Sequence, residues 1–359
     1  MTTAFTGRYP PDIGEYVRSC KKNLEPYIDR FLAGLIAERE RADGRIAALY
    51  GLFRDACGGG KCIRGSLVRL GYEIASDHPA GDEILPAAAA FEVFQTAILA
   101  HDDVIDRSPL RRGRDSIWQA AARLRGDHHY GISQALCLGD VGIALASRLI
   151  AGSSFEPDKK IKALKIFLDA QLNTVDGEML DVLMSHQKDY GDEEGVLRIA
   201  ALKTAWYTVI GPLRLGAALG GASPSLLDAM KSYGMALGVA FQLRDDVLGI
   251  EAAQEEMGKS GVSDVAEGKV TLLAHHAMKQ ASPEQLKRLM RVYGLETAAE
   301  ADREAVRGIF ETTGAFSEVA RRAESLLTEA KAVIPDMTRD PGNAALLTQL
   351  GDMMLQRKF

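Results

Sequence analysis

Apolar residues recur at intervals of three and four along nearly the whole chain, and no stretch alternates convincingly between apolar and polar. That period predicts amphipathic helices, because strands would repeat every second residue. Breakers rich in Gly, Pro, Ser and Asp separate the periodic stretches at Ser76–Gly81, Ala151–Asp158, Gly191–Gly195, Gly220–Ser225 and Pro335–Gly342. Between them the pattern predicts about ten or more helices, many of roughly 15 to 25 residues and rich in Ala and Leu. No segment has the composition of a linker, and no fixed-period repeat is present. The expectation is one all-α domain over residues 1–359, a single large helical bundle. Long buried helices leave a central cavity between them, the natural place for a ligand.

The most apolar run, Leu85 to Ala100, is interrupted by Glu92 and Gln95 and ends at His101, Asp102 and Asp103. It falls short of the ~20 apolar residues that span a bilayer, so it reads as a buried helix with no membrane span. The N-terminus has no apolar stretch after a positive start and does not read as a signal peptide. Cys20, Cys57, Cys62 and Cys137 are too scattered for a disulfide framework or a zinc site. Reduced thiols and a cytoplasmic location are therefore expected. With 43 basic against 49 acidic residues the net charge is −6, which supplies no global basic surface for nucleic acid.

Candidate chemistry begins where the apolar run stops. In HDDVID, Asp102 and Asp106 stand four apart and share one helix face, with Asp103 about 100° around. Like charges at that spacing repel, and a cation relieves them; hard Mg²⁺ takes oxygen ligands from carboxylates and substrate phosphates. A solvated acidic helix end is the plainer alternative. Asp245 and Asp246, in FQLRDDVLG, form a second acidic pair at the end of another apolar stretch. If the two clusters face one another across the cavity, they could hold several divalent ions around a diphosphate. A di-iron bundle is ruled out, because no histidine has a glutamate three residues before it.

Basic residues keep company with both clusters. Arg111, Arg112 and Arg114 follow the first in a Pro/Gly loop, RSPLRRGR, while Lys259 and Lys269 follow the second in GKSGVSDVAEGK. Near the N-terminus, GGGKCIRG offers the N–H groups of Gly58, Gly59 and Gly60 with Lys61 and Arg64. Glycines and a lysine at a helix start suit an anion, because backbone donors and the helix dipole both favour it. The spacing is not that of a Walker loop.

Taken together, these motifs resemble the trans-isoprenyl (polyprenyl) diphosphate synthases, and most closely those that make geranylgeranyl diphosphate. That family carries GGKxxR, DDxxD followed by RRG, a KT pair and FQxxDDxxD with downstream lysines. Here they stand as Gly59-Gly60-Lys61 with Arg64, Asp102-Asp103 with Asp106, Arg111-Arg112-Gly113, Lys203-Thr204, and Phe241-Gln242 with Asp245-Asp246, across roughly residues 55–275. The resemblance implies an all-α fold of the isoprenoid synthase type. It also implies an Mg²⁺-dependent transferase (about three ions per site) that joins isopentenyl diphosphate to an allylic diphosphate such as dimethylallyl, geranyl or farnesyl diphosphate.

Residue by residue, the resemblance implies that Asp102 and Asp106 bind two ions, supported by Asp103, and that Asp245 holds the third, helped by Asp246. Arg111, Lys203, Gln242, Lys259 and Lys269 would contact the allylic diphosphate. Lys61, Arg64, Gln95 and Arg112 would hold isopentenyl diphosphate, and Thr204 would lie beside the reacting carbons. A homodimer is implied as well. His101 is read as a packing residue in preference to a base, and Arg357-Lys358 as a frayed terminus that could reach isopentenyl diphosphate.

The sequence departs from the family at Cys62 and Gly65, which replace a basic residue and the helix-starting proline of GGKRLRP, and at Gly249, which replaces a third aspartate. A terpene cyclase would leave GGGKCIR and Arg112 without a purpose, and a non-catalytic partner subunit would not need both acidic clusters.

Product length follows from the helix before Asp102. An isoprene unit of about 5 Å passes roughly one helical turn. In the family, bulky aromatics at the positions of Ala97 and Ile98 stop the chain at C15. Ala97 is small here, so the tail is expected to meet Phe94 one turn deeper and stop at C20, with Phe91 beyond. A stopper on another helix would permit C25 or longer products.

Overall fold

Asp43 ends one helix and starts the next: its backbone N–H goes to the Arg39 carbonyl at 2.7 Å, and its carboxylate accepts the Arg45 N–H at 2.9 Å. The computed structural model describes residues 12–188, 190, 192–251, 268–295 and 300–356. The chain begins with α1 (Ile13–Ala42), α2 (Gly44–Cys57), α3 (Ile63–Ser76) and α4 (Leu85–Ile105). A hairpin of β1 (Leu110–Arg111) and β2 (Arg114–Asp115) precedes α5 (Ile117–Arg125), α6 (His128–Ala151) and α7 (Pro157–Gln187). Then come α8 (Glu193–Ile199), a π-helical stretch Ala200–Ile210, α9 (Gly211–Gly220) and α10 (Pro224–Glu251). The remainder is α11 (Leu272–Gln280), α12 (Pro283–Val292), α13 (Glu300–Thr312), α14 (Ala315–Met337) and α15 (Pro341–Leu355). The all-α expectation is met.

Details of the expected elements differ. Helices α1 and α7, at 30 and 31 residues, are longer than expected, and α14 runs through Pro335 to Met337. Proline keeps a helical φ and removes only one donor, so a final turn accommodates it. The RSPLRRGR loop closes into a two-stranded antiparallel hairpin, with Leu110 opposite Asp115 and Arg111 opposite Arg114.

The chain forms two compact units. The first comprises the chain up to Leu168 with Gly211–Met230 and Asp336–Leu346. In it, α3 and α9 meet backbone to backbone: a Cβ on Gly71 would collide with Leu213, and one on Gly216 with Val68. Helices α4 and α6 also pack closely, because Gly139 leaves room for the His101 ring and Gly142 for Phe53 and Ala97. Two helical segments here, Asp82–Ile105 and His128–Ala151, are long and apolar enough to cross a membrane, with 61% and 44% of the apolar window buried inside the fold. The first contains the run Leu85 to Ala100, continues through the aspartates to Ile105 and packs as a buried core helix, as expected.

The second unit comprises Asp169–Ile210, Lys231–Pro335 and the chain from Leu347. Its core gathers Leu243, Leu273, Leu289, Phe310 and Val319 around the π-helical stretch and α10–α14. Gly177 and Gly238 let α7 and α10 approach the π-helical backbone, where a Cβ would collide with Lys203 and Ala205 respectively. π-helical turns are rare and concentrate at functional sites; this one carries the Lys-Thr pair.

Candidate active site

In the first unit the acidic motif occupies the carbonyl end of α4. Asp102 and Asp103 lie in its last turn and Asp106 is the C-cap, its N–H bonded to the Asp102 carbonyl at 2.8 Å. A helix C-terminus carries partial negative charge, so each carboxylate there is opposed by about 0.3–1 kcal/mol. Cations must offset that arrangement. Arg111 supplies one: its Nε donates to Asp103 Oδ1 at 2.9 Å and its Nη2 to Asp102 Oδ2 at 2.9 Å. Burial alone would lower the Arg111 pKa, but Asp103 and Asp102 together hold it above its usual value. The Asp103 side chain is almost fully buried in this pairing, and Asp102 is less so.

The hairpin sends the two adjacent arginines to different places. Arg112 and Gly113 form its two-residue turn with φ of 53° and 71°, the type I′ geometry that matches strand twist. A non-glycine residue in the left-handed region costs of order 1 kcal/mol, a strain commonly found at functional sites. While Arg111 faces the aspartates, Arg112 reaches the glycine turn, where a Cβ on Gly60 would lie 3.5 Å from its Nη1. Gly60, Arg64 and Arg112 thus converge around the start of α3, with Lys61 in the same turn.

Glu92, read from the sequence as an interruption of an apolar run, belongs to this cluster. Its carboxylate is buried and accepts the Gly65 N–H at 2.8 Å. Burial raises its pKa; Arg64, the Gly65 N–H and Arg112 pull it back. The helix start that seemed suited to an external anion therefore gives its Gly65 donor to an internal one. Gln95 lies three residues further along the same helix and is partly buried. The His101 ring Nε2 is hydrogen-bonded to the Leu136 carbonyl at 3.1 Å and lies 3.6 Å from Asp140 Oδ1.

The second unit carries a constellation of its own. Lys203 Nζ lies 2.8 Å from both Glu178 and Asp181. Thr204 Oγ1 donates to Gln242 Oε1, and Gln242 Nε2 donates to Asp246 Oδ1 at 2.7 Å. The Asp246 carboxylate fixes the orientation of the Gln242 amide, because a flipped amide would set its oxygen against that acceptor. Asp245 stands beside Asp246 on α10, and the Lys269 carbonyl accepts the Tyr293 hydroxyl at 2.8 Å. Sequence reasoning missed Glu178 and Asp181, although an acidic pair three apart on a helix was a visible signal. Lys259 and the Arg357-Lys358 tail lie outside the described residues.

Below the first aspartates, Phe94 is fully buried in an aromatic trio, 5.1 Å from Phe167 and 6.4 Å from Phe91 between ring centroids. Phe167 comes from α7, and its ring stands at 72° to Phe94. Ala97 is fully buried and lies within reach of Phe53 and Gly142; Ile98 is only partly buried.

A family model described as Polyprenyl synthetase matches residues 47–310. The chain is 29% identical to the geranylgeranyl diphosphate synthase of Mycobacterium tuberculosis, over 96% of each chain. It is 28% identical to that of Methanosarcina mazei, over 84% of this chain and 87% of the relative. Other relatives of similar identity are named geranylfarnesyl and octaprenyl diphosphate synthase. Among solved structures, geranylgeranyl pyrophosphate synthase from Corynebacterium glutamicum, complexed with isoprenyl diphosphate and magnesium, superposes with a TM-score of 0.88 at 27% identity. That match covers 97% of this chain and all of the other.

Proposed function

This chain belongs to the polyprenyl synthetase family, and on that premise we propose that it condenses isopentenyl diphosphate with an allylic diphosphate to give geranylgeranyl diphosphate. It is an enzyme that transfers prenyl groups, a trans-prenyl diphosphate synthase. The observation that carries the finer reading is the divergence of Arg111 and Arg112 from one hairpin. One guanidinium is committed to the aspartates and the next to the glycine turn, as two diphosphates bound side by side require.

In this reading Lys61, Arg64, Gln95 and Arg112 bind isopentenyl diphosphate, and Arg111, Lys203, Gln242, Lys259 and Lys269 bind the allylic diphosphate. The all-oxygen donors at the carbonyl end of α4 fit a hard divalent cation. Asp102 and Asp106, supported by Asp103, and Asp245, helped by Asp246, would hold about three Mg²⁺ ions, whose charge stabilises the departing diphosphate. The basic side chains neutralise that leaving group as the allylic C–O bond breaks. The isopentenyl double bond then captures the allylic carbon, and the proton lost goes to the released diphosphate. Thr204, oriented by Gln242, lies beside the reacting carbons, and the apolar surroundings exclude water that would quench them.

The aromatic trio supports a C20 limit, because Phe94 is backed by Phe91 and Phe167 and has no space to yield. A homodimer is supported by α7, which exposes Ile161, Leu168, Leu172, Val175, Met179 and Leu183. Their spacing makes one apolar stripe of the kind a partner helix covers. Four free thiols accord with a cytoplasmic location and one catalytic domain over the chain completes the reading. The test is purified protein with Mg²⁺, isopentenyl diphosphate and each allylic primer, followed by chromatography of the dephosphorylated products. Geranylgeraniol is expected; no elongation from any primer would refute the reading.

A further inference from the structure

Helix α3 begins without a cap of its own. Cys62, its N-cap, is in the left-handed region (φ 56°, ψ 37°), and its side chain makes no capping hydrogen bond. The first N–H groups of a helix have no partner inside it and need an acceptor from elsewhere. Glu92 of α4 supplies it, taking the Gly65 N–H at 2.8 Å, with the Arg64 N–H turned to the same carboxylate. Proline, the residue of the family pattern at this position, has no N–H to give. Gly65 has one, and little else fits there: a Cβ would collide with the Leu24 side chain and lie 3.1 Å from the Ala88 carbonyl.

A buried carboxylate is a poor stability device, since an apolar side chain of similar volume commonly does as well or better. It is also out of place for simple anion attraction, because a negative charge beside Arg64 and Arg112 repels an incoming diphosphate. We propose that Glu92 is a positioning residue of the isopentenyl diphosphate site: it caps α3 from outside and thereby fixes the turn from which Lys61 and Arg64 project. The inference rests on the assignment of Lys61, Arg64 and Arg112 to that substrate. Glu92 itself touches no substrate. What matters is the acceptor oxygen on the Gly65 N–H, with the charge secondary.

The variants separate the acceptor from the charge. Glu92→Gln keeps an oxygen for the Gly65 N–H and removes the charge; Glu92→Met keeps the volume and removes both. Losing a hydrogen bond to a charged group should raise the KM for isopentenyl diphosphate about tenfold or more in Glu92→Met, with kcat and the allylic KM within about twofold of the parent. Glu92→Gln should restore the isopentenyl KM to within about threefold. Amide hydrogen exchange at Gly65, read without substrate, should quicken in Glu92→Met and stay slow in Glu92→Gln. The proposal is overturned by an unchanged isopentenyl KM in Glu92→Met, by an equal rise in both KM values, or by a Glu92→Gln enzyme as impaired as Glu92→Met. Glu92→Ala, checked for helicity by circular dichroism, serves if the methionine variant does not fold. A parent protein that condenses no isopentenyl diphosphate would instead sink the site assignment, while the exchange measurement would still report on the cap.

Discussion

Asp102 and Asp103 share one arginine but occupy different surroundings, and their substitutions should differ accordingly. Asp102, the more exposed, is proposed to face the metal cluster, so Asp102→Ala should lower kcat by roughly 10³-fold with the fold intact. Asp245→Ala should match it, and steady-state assays at saturating Mg²⁺ check both. Asp103 is buried against Arg111, and its loss would leave a partly buried guanidinium short of a partner, a change that costs stability as well as rate. For the paired arginines, Arg112→Ala and Lys61→Ala should raise the isopentenyl KM, and Arg111→Ala the allylic KM. Near-equal effects of Arg111→Ala and Arg112→Ala on both substrates would contradict the division. At this scale the sequence offered a set of acidic and basic candidates that did not include Glu92, Glu178 or Asp181. Each looks like an ordinary helical acid until its partner, distant in sequence, is known: Gly65 for Glu92, and Lys203 for the other two.

Between elements, contact distance governs what can change. Helices α3 and α9 touch at Gly71 and Gly216, and alanine at either position must push two backbones apart. Overpacking of that kind costs about 1–3 kcal/mol, so Gly71→Ala should lower the thermal midpoint measurably in a melting experiment. The proposed floor of the product cavity is likewise a property of two helices. Phe94→Ala and Phe167→Ala should both lengthen the main product beyond C20, since either removes half of an edge-to-face pair. Each also loses about 3–5 kcal/mol of packing, so products should be analysed well below the melting range. Ala97→Phe should shorten the product to C15 and must also displace Phe53, which lowers the melting temperature. An unchanged product distribution in all three would remove α4 as the ruler.

For the whole molecule, chelation of divalent cations should abolish condensation, and added Mg²⁺ should restore it. Replacing Leu172 and Met179 together by glutamate should shift a dimer to monomer in light scattering, because charges on the exposed α7 stripe oppose its burial. What the sequence determined by itself was the helical class and the ordered set of motifs. Period and residue type are local properties, readable wherever the chain goes. The tertiary structure alone decided how neighbours in sequence part and how distant residues meet. The type I′ turn at Arg112-Gly113 splits two arginines that are adjacent in the chain, and helix packing places Phe167 on Phe94 and Glu92 on the start of α3. Those outcomes depend on turn handedness and helix approach, and a periodic pattern specifies neither.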